Sequence, residues 1–237
     1  MSMVRTLIFF ALWVPFTIIL CVAAAPALLH TKLVWWVADF WSWFTLCWLR
    51  ISCKITSEIR GGEELPRTQV IYASKHQSAW DTIVLWHILH RPLFILKREL
   101  YWIPFFGWYL WRSNQIAINR ADRKKAMEQI VQQVQRAKKS GRPVVIFPEG
   151  TRGKVGANTT YHRGVAKLSA ALGWAVIPVA LNSGKFWPKR PIWKTPGHAI
   201  IEFLPPIPAC GADKHAWMAA LQQSIEGATS QLVTPSL

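Results

Sequence analysis

PVVIFPEGTRGKVGANTTYHRGVAKLSAALGWAVIPVAL, residues 143–181, is the stretch that decides the fold. Residues 143–147 are a short apolar run that reads as a buried strand, 164–172 read as a helix, and 175–181 read as a second strand. A strand, a helix and another buried strand make a crossover unit, the building block of parallel sheets. Working outward, 69–73 reads as a further strand and 80–89 as a helix. Residues 122–139 place Met127, Ile130, Val131 and Val134 on one helical face, and Gly141 ends that helix. Downstream, 198–204 reads as a strand and 214–232 as the closing helix. The expected fold is therefore α/β, with a mixed, largely parallel sheet flanked by helices. No internal repeat, low-complexity linker or second globular unit interrupts it.

The N-terminal segment has a different character. Residues 6–31 contain no Asp, Glu, Lys or Arg, and a helix of that length at ~1.5 Å per residue reaches across a ~30 Å hydrocarbon layer. Pro15 and Pro26 are expected to bend it. Residues 33–49 are shorter and carry Trp35, Trp36, Trp41, Trp43 and Trp48, with Asp39 near the middle. Tryptophan favours the membrane interface, and an Asp at mid-membrane depth costs roughly 2.5 kcal/mol or more. The expectation is a membrane-associated two-helix hairpin over 1–53, partly embedded, with its second arm near the headgroups. Two full spans are the alternative. A globular domain over 54–237, rich in Lys and Arg, follows on the cytoplasmic side. A signal peptide is the competing reading of the same stretch, because Arg5, an apolar run and Ala23-Ala24-Ala25-Pro26-Ala27 resemble its parts. The apolar run is longer than the usual ~7–15 residues, however, and a second aromatic stretch follows at once.

The 237 residues are 51% hydrophobic and 17% charged, which excludes a disordered tail. Lys and Arg number 28 against 12 Asp and Glu, a net charge of +16. That balance points to an anionic partner: phosphate, nucleic acid or membrane lipid. Cys21, Cys47, Cys53 and Cys210 lack metal-ligand spacing, which excludes a disulfide framework and a zinc finger.

Four short blocks carry the chemistry. In His76-Gln77-Ser78-Ala79-Trp80-Asp81 a neutral imidazole can take a proton from an alcohol while a carboxylate fixes its tautomer. Residues five apart diverge by about 140° on a continuous helix, so the pair meets only if His76 precedes the helix and Asp81 lies in its first turn. Ser78 and Asp81 also have the form of a capping box, and Asp81 can do both jobs. Phe147-Pro148-Glu149-Gly150-Thr151-Arg152 follows a strand, where ligands of open α/β sheets bind. There Arg152 can grip a phosphate, Gly150 permits close backbone approach and Thr151 adds a hydroxyl; an ordinary turn with solvated Glu149 and Arg152 explains the hexapeptide as simply. Asn114-Gln115-Ile116-Ala117-Ile118-Asn119-Arg120 and Val176-Ile177-Pro178-Val179 are the other two blocks. Taken alone, Arg120 reads as a charge at a helix start and Pro178 as a strand end.

In this order and spacing the blocks resemble the 1-acyl-glycerol-3-phosphate acyltransferase family, the bacterial lysophosphatidic acid acyltransferases. The resemblance runs from the apolar N-terminal segments through His76 and Asp81, Lys97-Arg98-Glu99-Leu100, Pro104, Gly107, Arg120 and the 147–152 block to Pro178. Asn119 before Arg120 departs from the family's pattern. The resemblance implies acyl transfer from a thioester of coenzyme A or acyl carrier protein to lysophosphatidic acid. His76 would be the base and Asp81 its orienter. Arg120 and Arg152, with Lys97, Gly150 and Thr151, would hold the acceptor's phosphate, and Glu149 would contact the glycerol or orient an Arg. No metal and no cofactor beyond the acyl donor is implied.

The bilayer is an expected partner, at a bacterial inner membrane, with contact at Phe186 and Trp187 and an acyl or membrane contact at Pro178. Arg123, Lys124, Lys125, Lys138 and Lys139 read more simply as solvated charge. Trp102, Trp108 and Trp111 are candidates either for an acyl groove or for core packing. Another acceptor is an alternative within the same chemistry: glycerol-3-phosphate, a lysophospholipid or a lyso-aminolipid. A membrane-tethered nucleic-acid-binding protein is the alternative of a different class, although no recognition motif accompanies the charge.

Overall fold

The computed structural model describes residues 2–118, 123–137, 140–157 and 159–234. Seven strands form one sheet: β1 (Ile55–Arg60), β2 (Ile71–Ser74), β3 (Leu93–Lys97), β4 (Ile116–Ile118), β5 (Val144–Ile146), β6 (Val176–Leu181) and β7 (Gly197–Phe203). Their order across the sheet is β1-β7-β6-β2-β5-β3-β4. All neighbours are parallel except β6 and β7, so β1 and β7 run against the rest.

Strands β2, β5 and β6 are buried along their whole length, as expected when helices cover both faces of a sheet. The period of two sorts their side chains. Tyr72, Val145, Ile177 and Val179 face one core, packed by Trp80, Val84 and Leu85 of helix α3 (Trp80–Ile88) and by Phe9 of the N-terminal hairpin. Ile71, Ala73, Val144 and Val176 face the other. Three helices cover that second face: α5 (Arg123–Ala137) through Ile130 and Val134, α6 (Gly164–Leu172) through Val165 and Leu168, and α7 (Lys214–Val233) through Leu221 and Ile225. Each pair is spaced for one helical face.

The apolar N-terminus is a hairpin of α1 (Ser2–Ala23) and α2 (Thr31–Trp48), joined by a 3₁₀ turn over Ala25–Leu29. Pro26 opens that turn, whereas Pro15 is accommodated inside α1. The indoles cross-link the arms: Trp13 donates to Thr45 Oγ1 at 2.9 Å and Trp41 to Thr17 Oγ1 at 3.0 Å. Helix α1 is long and apolar enough to cross a membrane, and Leu7, Ile8, Ile18 and Ile19 are exposed on it.

Asp39 on α2 has partners within the fold. Its Oδ1 accepts from Trp86 Nε1 at 2.9 Å, and its Oδ2 accepts from Arg91 Nε and Nη2 at 2.9 and 2.6 Å. Arg91, just beyond α3, also lies over the rings of Trp35 and Trp36. Helix α2 is thereby fastened to α3.

Two expectations are corrected. Pro178 is buried within β6 opposite Ala73, a central strand position without access to the acyl-sized cavity described below. Trp187 is 7% exposed and meets Phe9 edge-on at 5.5 Å, so it packs under α1 instead of facing outward. Phe186 is half-buried in the same cluster.

Candidate active site

The parallel pairing Ile71↔Val144 and Ala73↔Ile146 makes the loops leaving β2 and β5 emerge side by side. The block after β2 holds His76 and the block after β5 holds 147–152, so sheet register alone brings two distant segments together. They are laced through main chain: Gly153 N–H donates to His76 O at 2.8 Å, and His76 N–H donates to Glu149 Oε1 at 2.8 Å. Gly150 makes the intervening turn with φ +68°, and its N–H donates to Phe147 O, a conformation most residues adopt only under strain.

His76 precedes α3 and Asp81 lies in its first turn, as the spacing required. His76 Nδ1 is 2.9 Å from Asp81 Oδ2. A carboxylate only accepts, so Nδ1 carries the proton and Nε2 remains for a substrate. Asp81 is fully buried and its oxygens accept three more bonds: Gln77 N–H at 2.7 Å, Ser78 N–H at 2.8 Å and Ser183 Oγ–H at 2.5 Å. Ser78 Oγ in turn accepts from Trp80 N–H. The capping box is thus only half formed, since Ser78 Oγ takes Trp80 N–H and not Asp81 N–H, but the Asp81 carboxylate still holds both the chain entering the helix and the histidine. The imidazole stacks on Phe147, centroids 3.9 Å apart and planes 20° apart.

Ser183 follows β6, at the same end of the sheet as the other two blocks, and this strand-end position is the signal by which it could have been found. Gly184 beside it donates to Gln77 Oε1 at 3.1 Å. A Cβ there would stand 2.7 Å from Val155 Cγ2, so the close approach needs glycine.

His76 opens onto a cavity of about 1030 Å³. Leu20, Val37, Ala38 and Trp41 of the hairpin form part of its wall, continued by Ile83 and Trp86 of α3 and by Phe106, Tyr109 and Leu110 of helix α4 (Phe106–Arg112). Lys97, Gly150, Thr151 and Arg152 line it, together with Arg163, Lys167 and Lys189, which sequence reasoning did not single out for it. No Asp or Glu lines it among the described residues. Lys97, Thr151, Arg163, Lys167 and Lys189 are exposed, so cations ring a largely apolar interior.

Other expected residues fall elsewhere. Trp102, Trp108 and Trp111 are 79%, 51% and 65% exposed and leave the wall to Phe106, Tyr109 and Leu110. Glu149 is buried and turned toward the His76 main chain and Lys75, away from the cavity. Arg120, Lys138 and Lys139, and the side chains of Arg123, Lys124 and Lys125, lie outside the described residues. Among the described residues no group of three His, Cys, Asp or Glu is placed to hold a metal ion.

A carboxylate-oriented imidazole facing an apolar cavity with cations at its mouth can deprotonate a hydroxyl on an anionic amphiphile. Residues 56–182 match the family model described as Acyltransferase, and the chain belongs to that family. It is 37% identical over 207 residues to the 1-acyl-sn-glycerol-3-phosphate acyltransferase of Pseudomonas aeruginosa, covering 87% of this chain and 80% of that protein. To the 1-acyl-sn-glycerol-3-phosphate acyltransferase of Escherichia coli it is 33% identical over 160 residues, 65% of this chain and 64% of that one. The fold is shared with the 1-acyl-sn-glycerophosphate acyltransferase PlsC of Thermotoga maritima, with a TM-score of 0.76 at 19% identity over 99% of this chain and 98% of that one.

Proposed function

We propose that this chain transfers an acyl group from a thioester to the sn-2 hydroxyl of 1-acyl-glycerol-3-phosphate, forming phosphatidic acid. The observation that carries the reading is the His76–Asp81 pair at the wall of an apolar cavity whose exposed charged side chains are all cationic. The relatives bear the name of this reaction.

The hydroxyl oxygen attacks the thioester carbonyl carbon while His76 Nε2 takes its proton. Asp81, held by its three other donors, stabilises the imidazolium that forms. The tetrahedral oxyanion collapses, the C–S bond breaks, and the leaving thiolate receives the proton from His76. Arg152 and Lys97 hold the acceptor's phosphate with the Gly150–Thr151 turn beside it. The apolar wall takes an acyl chain. No cofactor beyond the acyl donor is needed.

Both the acceptor and its product are amphiphiles. We place α1 in the cytoplasmic membrane of a bacterium with the catalytic domain on the cytoplasmic face, where lysophosphatidate enters from the bilayer without crossing water. The thioester carrier, coenzyme A or acyl carrier protein, approaches from solvent. The test is acyl transfer by the purified full-length protein in detergent, with acyl-coenzyme A and acyl carrier protein as donors. Lysophosphatidate, glycerol-3-phosphate and a neutral lysophospholipid are offered as acceptors. Phosphatidic acid from lysophosphatidate in preference to the other products is expected. A preferred acceptor without a phosphate monoester would contradict the reading.

A further inference from the structure

Lys75, the residue before His76, is 2% exposed, and no step of the reaction uses it. Its ammonium donates to Glu226 Oε1 at 2.6 Å and Thr159 Oγ1 at 3.0 Å, and it stands 3.6 Å from Glu149 Oε2. Glu226 lies on α7, far along the chain, and also accepts from Tyr161 OH at 2.9 Å. A buried lysine is thus seated by the C-terminal helix directly behind the block that carries the imidazole.

Glu149 is the other half of the arrangement. Its side chain is 1% exposed and its Oε1 holds the His76 N–H. Burial pushes its carboxyl upward, and the His76 N–H and the Lys75 cation act the other way. A buried carboxylate that loses its cation neutralises, and a neutral carboxyl is a weaker acceptor. Main chain completes the tie, since His76 O accepts from Gly153 N–H.

We propose that Lys75 is a positioning residue: its ammonium, seated by Glu226, balances Glu149 so that the carboxylate holds the His76 main chain in register with Asp81. Glu149 then acts through His76 and does not touch the acceptor. The inference rests on the acyl-transfer reading above wherever activity is its readout.

Lys75→Met keeps the length and removes the charge. It is expected to lower kcat by about tenfold or more, because a histidine displaced by a fraction of an ångström loses much of its effect. KM for lysophosphatidate stays within about twofold. Adding Glu149→Gln removes the stranded carboxyl and keeps an amide oxygen for the His76 N–H, so kcat in Lys75→Met/Glu149→Gln recovers several-fold over Lys75→Met. Independent structural damage would add instead. Glu226→Gln leaves Lys75 charged opposite Glu149 and loses less kcat than Lys75→Met.

Thermal stability reads the same cycle without activity: the midpoint falls in Lys75→Met and rises again in Lys75→Met/Glu149→Gln. Lys75→Met failing to fold while the double variant folds supports the proposal. Both failing to fold, a double variant worse than the single, or Lys75→Met with wild-type kcat overturns it. So does Glu149→Gln with kcat retained and KM for lysophosphatidate raised about tenfold, which would put Glu149 on the acceptor. Wild-type protein that makes no phosphatidic acid contradicts the proposed function and leaves the stability cycle to decide this inference.

Discussion

The carboxylate of Asp39, midway along α2, is gripped by both Nε and Nη2 of Arg91 at 2.9 and 2.6 Å. This one ion pair, together with Trp86 Nε1, turns an acid in an apolar helix into the fastening between hairpin and catalytic sheet. The two side chains are 34% and 28% exposed, so solvent screening limits the pair to about 1 kcal/mol. A double-mutant cycle of Asp39→Ala and Arg91→Ala in urea unfolding is expected to give a coupling of that size, reduced by salt. Additive effects would show that the pair does not fasten the helices.

Asp81→Asn places an amide where four hydrogens converge on one carboxylate. Oδ2 accepts from His76 Nδ1, Gln77 N–H and Ser78 N–H while Oδ1 accepts only from Ser183 Oγ. The amide nitrogen therefore settles opposite the Ser183 hydroxyl, which can turn to accept, and what is lost is the negative charge beside the imidazole. The expected loss in kcat is on the order of 10³, because the imidazolium that forms no longer has a carboxylate to stabilise it. Stability falls by about 1 kcal/mol as charge-assisted hydrogen bonds become neutral ones. Steady-state rates and unfolding curves check both, and a kcat near wild type would remove Asp81 from its orienting role.

Lys194 is fully buried against Phe9, Phe10 and Trp187, its Nζ 3.7 to 4.4 Å from their centroids. Burial lowers its pKa from 10.5 to about 8. Below about pH 8 both states hold the proton and the penalty of the buried cation is complete; between about 8 and 10.5 the folded state releases it while the unfolded chain keeps it. Stability therefore rises with pH across that window, by no more than ~3 kcal/mol, and less because the ring faces favour the cation. Lys194→Met is expected to flatten the rise. A variant with the same slope as wild type would assign it to another group.

Ala38 lines the cavity from α2. Ala38→Phe fills part of the apolar space without touching His76 or the cations. The rate with a long-chain donor is expected to fall about tenfold relative to a short-chain donor, since a ring displaces several methylenes worth ~0.8 kcal/mol each. Equal losses at every chain length would mean that the acyl chain lies elsewhere.

The crossover unit was legible because its strands are buried on both faces and read as plain apolar runs; helix 164–172 is observed at those bounds, and the strand expected over 175–181 starts one residue later. Strand β1 was not legible: at the sheet edge its burial fades along Ile55–Arg60, and Thr56, Ser57 and Glu58 leave no apolar pattern. Strand β4 has three residues, and α4 is a seven-residue helix in which Phe106, Gly107, Trp108, Tyr109 and Trp111 are weak helix formers. Within the site, the His76–Asp81 pairing was legible because it is local, five residues apart with a helix start between. The partners of Asp39, Glu149 and Asp81 were not, because Arg91, Lys75 with Glu226, and Ser183 reach them through tertiary contacts that no spacing encodes.

The most direct measurement compares phosphatidic acid formation by wild type and His76→Ala, in matched detergent and at matched folding by circular dichroism, over a range of lysophosphatidate concentrations. Removal of the base is expected to lower kcat by about 10²–10⁴ with little change in KM. Product formed by His76→Ala at the wild-type rate would contradict general-base catalysis at this site.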